Sequence, residues 1–319
     1  MAPRLVFVHG VGKPQDTGEI LDRWRRALAD GARAAGHGRG ADRLLDGTSV
    51  DVRLAYYSDL FPRKGTAVAS ASPQADDESA ELAEMLLDAV DERLAGSDDA
   101  REAQVLRRAR SQLAPEGQPQ GPGDLLRRVL AAGNTLLSLP GLRTVGGWTS
   151  AALMLSDLRQ VRQYLSRGHL DDAQVSLDRR IRAQVHAQLD SDAPTVVVAH
   201  SLGTVVAFET LHAHPGPVPL FVTLGSPIGM RSAVQRRMRP QPLSAPPGVE
   251  QWLNFWDRDD FITAWPGIET WVAPNAQAAA PVTRRVDSDG LHVHPVAKYL
   301  AQPGVAGPVV EALEAAVPA

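Results

Sequence analysis

The stretch APTVVVAHSLGTVVAFETL, Ala193 to Leu211, decides how the rest of the chain is read. Thr195–Val198 is rich in β-branched residues, the composition of a buried strand. It runs through Ala199, His200 and Ser201 into a helical pattern with no conventional loop. A strand that becomes a helix so abruptly strains the turn residue and lifts its side chain above the sheet edge. Ser201 stands at that point. The turn presses together the residues two before and two after it, so both must be small, and here they are Ala199 and Gly203. Serine is also a good helix cap, so the pattern needs partners elsewhere before it signifies a nucleophile.

The first partner is RLVFVHGVG, Arg4 to Gly12. Leu5–Val8 is a short apolar run suited to a buried strand, and it stops at His9-Gly10-Val11-Gly12. Glycines there allow the backbone to come close to a substrate. The Val11 amide is one candidate oxyanion donor. The Leu202 amide is the other, because a helix beginning at Leu202 aims its free N–H groups at the serine. His9 is read as support for the loop rather than as a base. Two further segments each follow a strand downstream of Ser201: NFWDRDDFI after Val249–Trp256, and DGLHVH after Val282–Val286. They supply acids at Asp257, Asp259 and Asp260, and bases at His292 and His294. His294 precedes a helical segment, Pro295–Leu300, and an apolar Phe-Ile pair follows Asp260.

Strand patterns at Leu5–Val8, Ser49–Tyr57, Val218–Leu224, Val249–Trp256 and Val282–Val286 join the one before Ser201. They alternate with helical patterns, including one on Ile20, Leu21, Trp24, Ala27 and Leu28, capped by Asp16 or Thr17 and ended by the glycines at Gly36–Gly40. Another is expected over Ala173–Leu189 and a last one near Val305–Val317. Alternation of this kind predicts an α/β fold with a mostly parallel central sheet covered by helices on both faces. Between the second strand and Ser201 lies a block of helical patterns: Glu78–Leu94, Ala100–Leu113, Leu125–Leu139 and Gly147–Leu165. Sheet segments flank it on both sides, so residues 1–319 are read as one domain carrying a helical insertion over residues 62–165. Two uncharged runs in the block, Val129–Leu142 and Thr144–Ser156, make it a candidate lid over Ser201. In that role Leu137 and Leu153 would receive an acyl chain, and Gly133, Gly141, Gly146 and Gly147 would serve as hinges.

The 319 residues carry a formal charge of −4 and include no cysteine. Disulfides, thiolate metal sites and a cysteine nucleophile are thereby excluded. So small a charge gives no electrostatic reason to expect nucleic acid or an acidic membrane as partner. No uncharged apolar run reaches the roughly 18 residues of a membrane span, and Arg4 onward already reads as strand and loop instead of a signal peptide. A soluble, cytoplasmic protein without an integral membrane segment is the expectation; the oligomeric state is left open.

FVHGVG, VVVAHSLGTVVA, TLGSPIG (Thr223–Gly229) and NFWDRDDFI together resemble the α/β-hydrolase superfamily. The likeness is to its serine lipase and esterase branch, which includes GPI-inositol-deacylase-like proteins and related bacterial lipases. It covers Arg4–Tyr57 and Pro194–Leu300 and departs from the G-x-S-x-G pattern only in Ala199. The resemblance implies a Ser201–Asp260–His294 triad, because that branch takes the second aspartate of a D-x-x-D-apolar-apolar pattern as its acid. It also implies oxyanion donors at Val11 and Leu202, with His9, Gly10, Gly12, His200 and Gly203 in support. The implied reaction is hydrolysis of a small-molecule or lipid ester through an acyl-enzyme, with no cofactor and no metal. A thioesterase or amidase would use the same residues, and a non-catalytic binding protein could retain the fold.

Overall fold

The computed structural model describes residues 2–12, 14–62, 73–114, 124–139, 150–257, 260, 263, 267–287 and 294–316. Six strands form one sheet: β1 (Arg4–Val8), β2 (Asp51–Ala55), β3 (Thr195–His200), β4 (Phe221–Leu224), β5 (Trp252–Asp257) and β6 (Pro281–Val286). Their order is β2-β1-β3-β4-β5-β6, and every pair is parallel. All six residues of β3 are buried, as expected of a central parallel strand whose two faces are both covered.

Alternation along the strands divides the sheet's surroundings into two cores. Val6, Val8, Val197 and Ala199 pack toward α7 (Leu177–His186) and α8 (Leu202–Leu211), meeting Ile181, Val205 and Phe208. Leu5, Phe7, Val196 and Val198 point the other way. They meet α1 (Thr17–Ala34), α2 (Gly38–Leu45) and α10 (Pro303–Ala315) through Trp24, Leu28, Leu44 and Val309. A short α9 (Val296–Leu300) joins this second layer.

From β1 the chain moves outward to β2, then crosses back to lay β3 on the other side of β1. The loops leaving β1 and β3 therefore diverge and open a crevice at the carboxyl edge of the sheet, where ligands of open parallel sheets bind. The His9–Gly12 loop and Ser201 both lie at that crevice.

The block between β2 and β3 forms α3 (Pro73–Ala95), α4 (Ala100–Leu113), α5 (Asp124–Leu136) and α6 (Ala151–Leu165). These helices share a third core of their own, with Leu82, Leu86, Leu106, Leu136 and Met154 inside it. Among the described residues no helix is long and apolar enough to cross a membrane.

Several boundaries differ from the sequence expectation, each for a local reason. Asp16 caps α1 by accepting from the Glu19 N–H, and Gly36 at φ +90° follows the helix end. Gly38 and Gly40 then enter a helix the sequence did not suggest. Tertiary contacts of Ala41 and Leu44 with the α10 side of the core override the poor helical propensity of glycine. The helix expected from Ala173 starts only at Leu177. Asp171 accepts from the Ala173 and Val175 N–H groups and makes a turn in place of that first part. Val218 makes an isolated bridge to Val249. Pro219 has no N–H to continue it, so β4 begins at Phe221.

Candidate active site

Ser201 sits between β3 and α8 at φ +52° and ψ −130°. Such a conformation costs a non-glycine residue roughly 1–3 kcal/mol and persists only where surrounding contacts impose it. The Ser201 N–H donates to Leu224 O at 3.0 Å. Its carbonyl accepts from the Thr204 N–H at 2.9 Å and from Thr204 Oγ1 at 2.7 Å. Two close approaches lock the elbow to the β1 loop. A Cβ on Gly203 would stand 2.3 Å from His9 O, and one on Gly10 would stand 2.7 Å from Ser201 Cβ. Neither position has room for a side chain; the sequence required a small residue at 203, and the crowding there comes from the β1 backbone rather than from Ala199.

His9 is held from behind. Its Nε2 accepts from the Tyr57 N–H at 2.9 Å, the Tyr57 hydroxyl donates to His9 O, and the two rings stack with centroids 4.1 Å apart. Burial pushes the His9 pKa down to about 3, against a hydrogen bond with the Gly10 backbone that acts in the other direction. The ring is therefore neutral at ordinary pH, as an acceptor at Nε2 requires. Tyr56 and Tyr57 were expected to continue β2; they leave the strand and furnish this support.

On the other side of the crevice, His294 Nδ1 meets Asp260 Oδ2 at 2.7 Å. Asp260 is wholly buried. The same Oδ2 accepts from the Tyr299 hydroxyl at 2.7 Å, and that hydroxyl accepts from the Asp257 N–H at 3.1 Å. Asp257, itself buried, thus contributes a backbone group to the site. Burial alone would lower the His294 pKa. The charge of Asp260, its hydrogen bond and the charge of Asp157 outweigh that and raise it above the ordinary 6.5. With Nδ1–H given to Asp260, the neutral ring keeps its lone pair on Nε2. His200 fixes the main chain here, its Nε2–H donating to His294 O at 2.7 Å. Burial and the neighbouring His294 press the His200 pKa down to about 3.

Gly225, in the turn after β4, explains the TLGSP segment. It has φ +53°, and a Cβ there would lie 2.8 Å from Asp260 Oδ2 and 3.2 Å from His294 Nδ1. Its bare backbone is the floor on which the acid–base pair rests. Neighbouring Ser226 shares a 2.7 Å hydrogen bond with Thr204, tying that floor to the first turn of α8.

Ser201 and His294 line one cavity of about 420 Å³, together with Gly10, Val11 and Gly12. Ile20 and Trp24 of α1 and Met230 and Val234 beyond β4 give it apolar walls. The helical insertion closes it through Met85, Asp157, Leu158 and Val161. Of Leu137 and Leu153, expected to receive an acyl chain, the first lies inside the insertion's own core and the second packs against it; neither lines the cavity. Their side chains face the helices of that core, and a different part of α6 turns toward the crevice. Gly133, proposed as a hinge, lies inside α5. Asp259, His292, Gly141, Gly146 and Gly147 fall outside the described residues. Sequence reasoning passed over Tyr299, which is 39 residues from the carboxylate it touches, and Tyr57, 48 residues from His9. No spacing rule joins such pairs. Among the described residues no three His, Cys, Asp or Glu side chains gather as a metal-ligand set.

Compared with protein-family models, with curated proteins and with solved structures, the chain matches none.

Proposed function

We propose that the protein is a serine hydrolase of the α/β-hydrolase type that cleaves carboxylic esters with an apolar acyl part. The observation that carries this is the coincidence of two costly features at one cavity. Ser201 is held at positive φ on a strand-to-helix turn, and a buried carboxylate is bonded to a histidine that lines the same cavity. A serine that only capped α8 would need neither; its side chain in fact makes no cap hydrogen bond.

In this mechanism His294 Nε2 takes the Ser201 proton as Oγ attacks the ester carbonyl. Asp260 holds the ring by Nδ1–H and stabilises its charged form. The Val11 and Leu202 amides receive the oxyanion. The protonated His294 then gives its proton to the departing alcohol, and the same nitrogen activates the water that frees Ser201. The apolar walls of the cavity suit a hydrocarbon acyl group.

A fluorophosphonate probe and a panel of p-nitrophenyl esters test the proposal. Wild-type protein should label and turn over ester, whereas Ser201→Ala should do neither, with turnover down by about 10⁴-fold or more and the fold retained. Absence of labelling in wild-type protein, or near-normal turnover by Ser201→Ala, would mean that the fold serves binding and not hydrolysis.

A further inference from the structure

One side chain of the helical insertion reaches the main chain of the β1 loop. Gln160 of α6 accepts from the Gly12 N–H with Oε1 at 3.0 Å and donates from Nε2 to Gly12 O at 3.2 Å. The carboxamide thus satisfies both polar groups of a single residue, and the complementarity of donor and acceptor fixes which way round it sits. Gln160 is half-buried and does not line the cavity, whereas its neighbours Asp157, Leu158 and Val161 do.

The clasp falls where the loop most needs one. Gly12 has φ +149°, and a Cβ there would meet nothing within 4 Å, so sterics do not hold it. Glycine is the residue with the widest backbone freedom. The Gly12 N–H belongs to the peptide plane just after Val11. On the other side of Val11, Gly10 is wedged against Ser201 and His9 is fixed by Tyr57. Val11 is therefore a single residue spanning two anchored points, one supplied by the sheet and the other by the insertion.

We infer that Gln160 is a positioning residue for catalysis: by clasping Gly12 it sets the orientation of the Val11 amide, so the insertion completes an oxyanion site that the sheet alone leaves loose. The inference rests on the proposed serine-hydrolase activity. Preorganised donors contribute through their orientation, and an amide free to swing loses much of its effect on the transition state. The ground-state ester, bound mainly by the apolar walls, would feel the change little.

The test compares wild type with Gln160→Met, which keeps side-chain length and packing but can form neither bond, and with Gln160→Glu, which keeps only the acceptor. Expected for Gln160→Met is a kcat roughly 10- to 100-fold lower, with KM within about twofold. Inhibition by an alkylboronic acid, whose tetrahedral adduct uses the oxyanion site, should weaken in parallel with kcat. The pH limb set by His294 should not move. Gln160→Glu should fall between the two, and amide hydrogen exchange should show lost protection at Gly12 in Gln160→Met. Unchanged kcat, or a loss confined to KM, overturns the inference while leaving the hydrolase proposal standing. Wild-type protein inert to esters and probe fails the hydrolase proposal and with it the catalytic role of Gln160, whatever the exchange data show.

Discussion

The sheet and the helical insertion contribute to the cavity in different ways. The sheet places its groups largely by main-chain geometry, with the side chains of Tyr57, His200 and Tyr299 bracing it. Ser201 is fixed by a strand-to-helix turn, the His9–Gly12 loop by two glycine contacts, and the Asp260–His294 pair has a third glycine beneath it. The insertion has its own core and meets the sheet domain through side chains. Gln160 grasps Gly12, and Glu92 of α3 accepts from the Arg231 and Ser232 N–H groups at 3.0 Å each. A backbone-built site tolerates little change at a few small residues. One built from side chains can be retuned residue by residue; under the proposed function the insertion would decide what enters and the sheet what reacts.

The junction between the two is where a single substitution should cost most. Glu209 on α8 is wholly buried and accepts from Tyr164 of α6 at 2.7 Å, from Arg167 just beyond it, and from the Arg239 N–H at 2.8 Å. Removing one partner of a buried charged network typically costs about 3–5 kcal/mol, because the remaining charge is left without compensation. Denaturant unfolding of Glu209→Ala should show a loss of that size. A loss under about 1 kcal/mol would mean that the network is not needed to hold α6 against α8.

The next test falls on the floor of the site. Gly225→Ala places a methyl group against Asp260 Oδ2 and His294 Nδ1 at a φ that alanine resists. Turnover of a short ester should fall by roughly 100-fold, since small displacements of catalytic groups are that costly. Stability should change far less than in Glu209→Ala. If activity survived, the Asp260–His294 pair would not be the working one.

Chain-length selectivity is the finer probe of the insertion. Leu158 packs against the insertion's core and also lines the cavity, whereas Leu137 lies inside that core and does not line the cavity. Leu158→Ser should raise KM for a long-chain ester about 10-fold more than for an acetate, a magnitude expected from a few lost apolar contacts. Leu137→Ser should lower thermal stability and leave that ratio alone. Equal effects of the two substitutions on the ratio would remove the distinction between wall and core.

The smallest effect expected is on the pH profile. The base must be neutral to accept the Ser201 proton, and the Asp260 charge favours its protonated form. Activity is then lost as pH falls through the raised pKa. The acidic limb of kcat/KM, which reports the free enzyme, should therefore lie above the ordinary imidazole value of 6.5. Asp260→Asn should move the limb to lower pH while it lowers the rate. A limb below 6.5 in wild type would argue that His294 is not the base.

Much of the sheet was determined by the sequence itself, because buried parallel strands are written as short β-branched runs between breakers. Thr195–His200 and Arg4–Val8 are of that kind. Ser201 was equally legible, since a strand meeting a helix without a loop admits few backbone paths and needs small residues at 199 and 203. Ala100–Leu113 was legible as a helical pattern, and in the fold Asp99 caps it. What the sequence left open was decided by contacts between residues far apart along the chain. Among Asp257, Asp259 and Asp260 no local rule distinguishes a side chain that faces a histidine; in the fold, Asp260 meets His294 and Tyr299 while Asp257 offers its N–H. The direction faced by the insertion was likewise undetermined. An apolar stripe records that a helix buries one face, not against what, so Leu137 and Leu158 look alike until the helices pack. Gln160 and Gly12 are 148 residues apart, and only tertiary structure brings the amide of one to the backbone of the other.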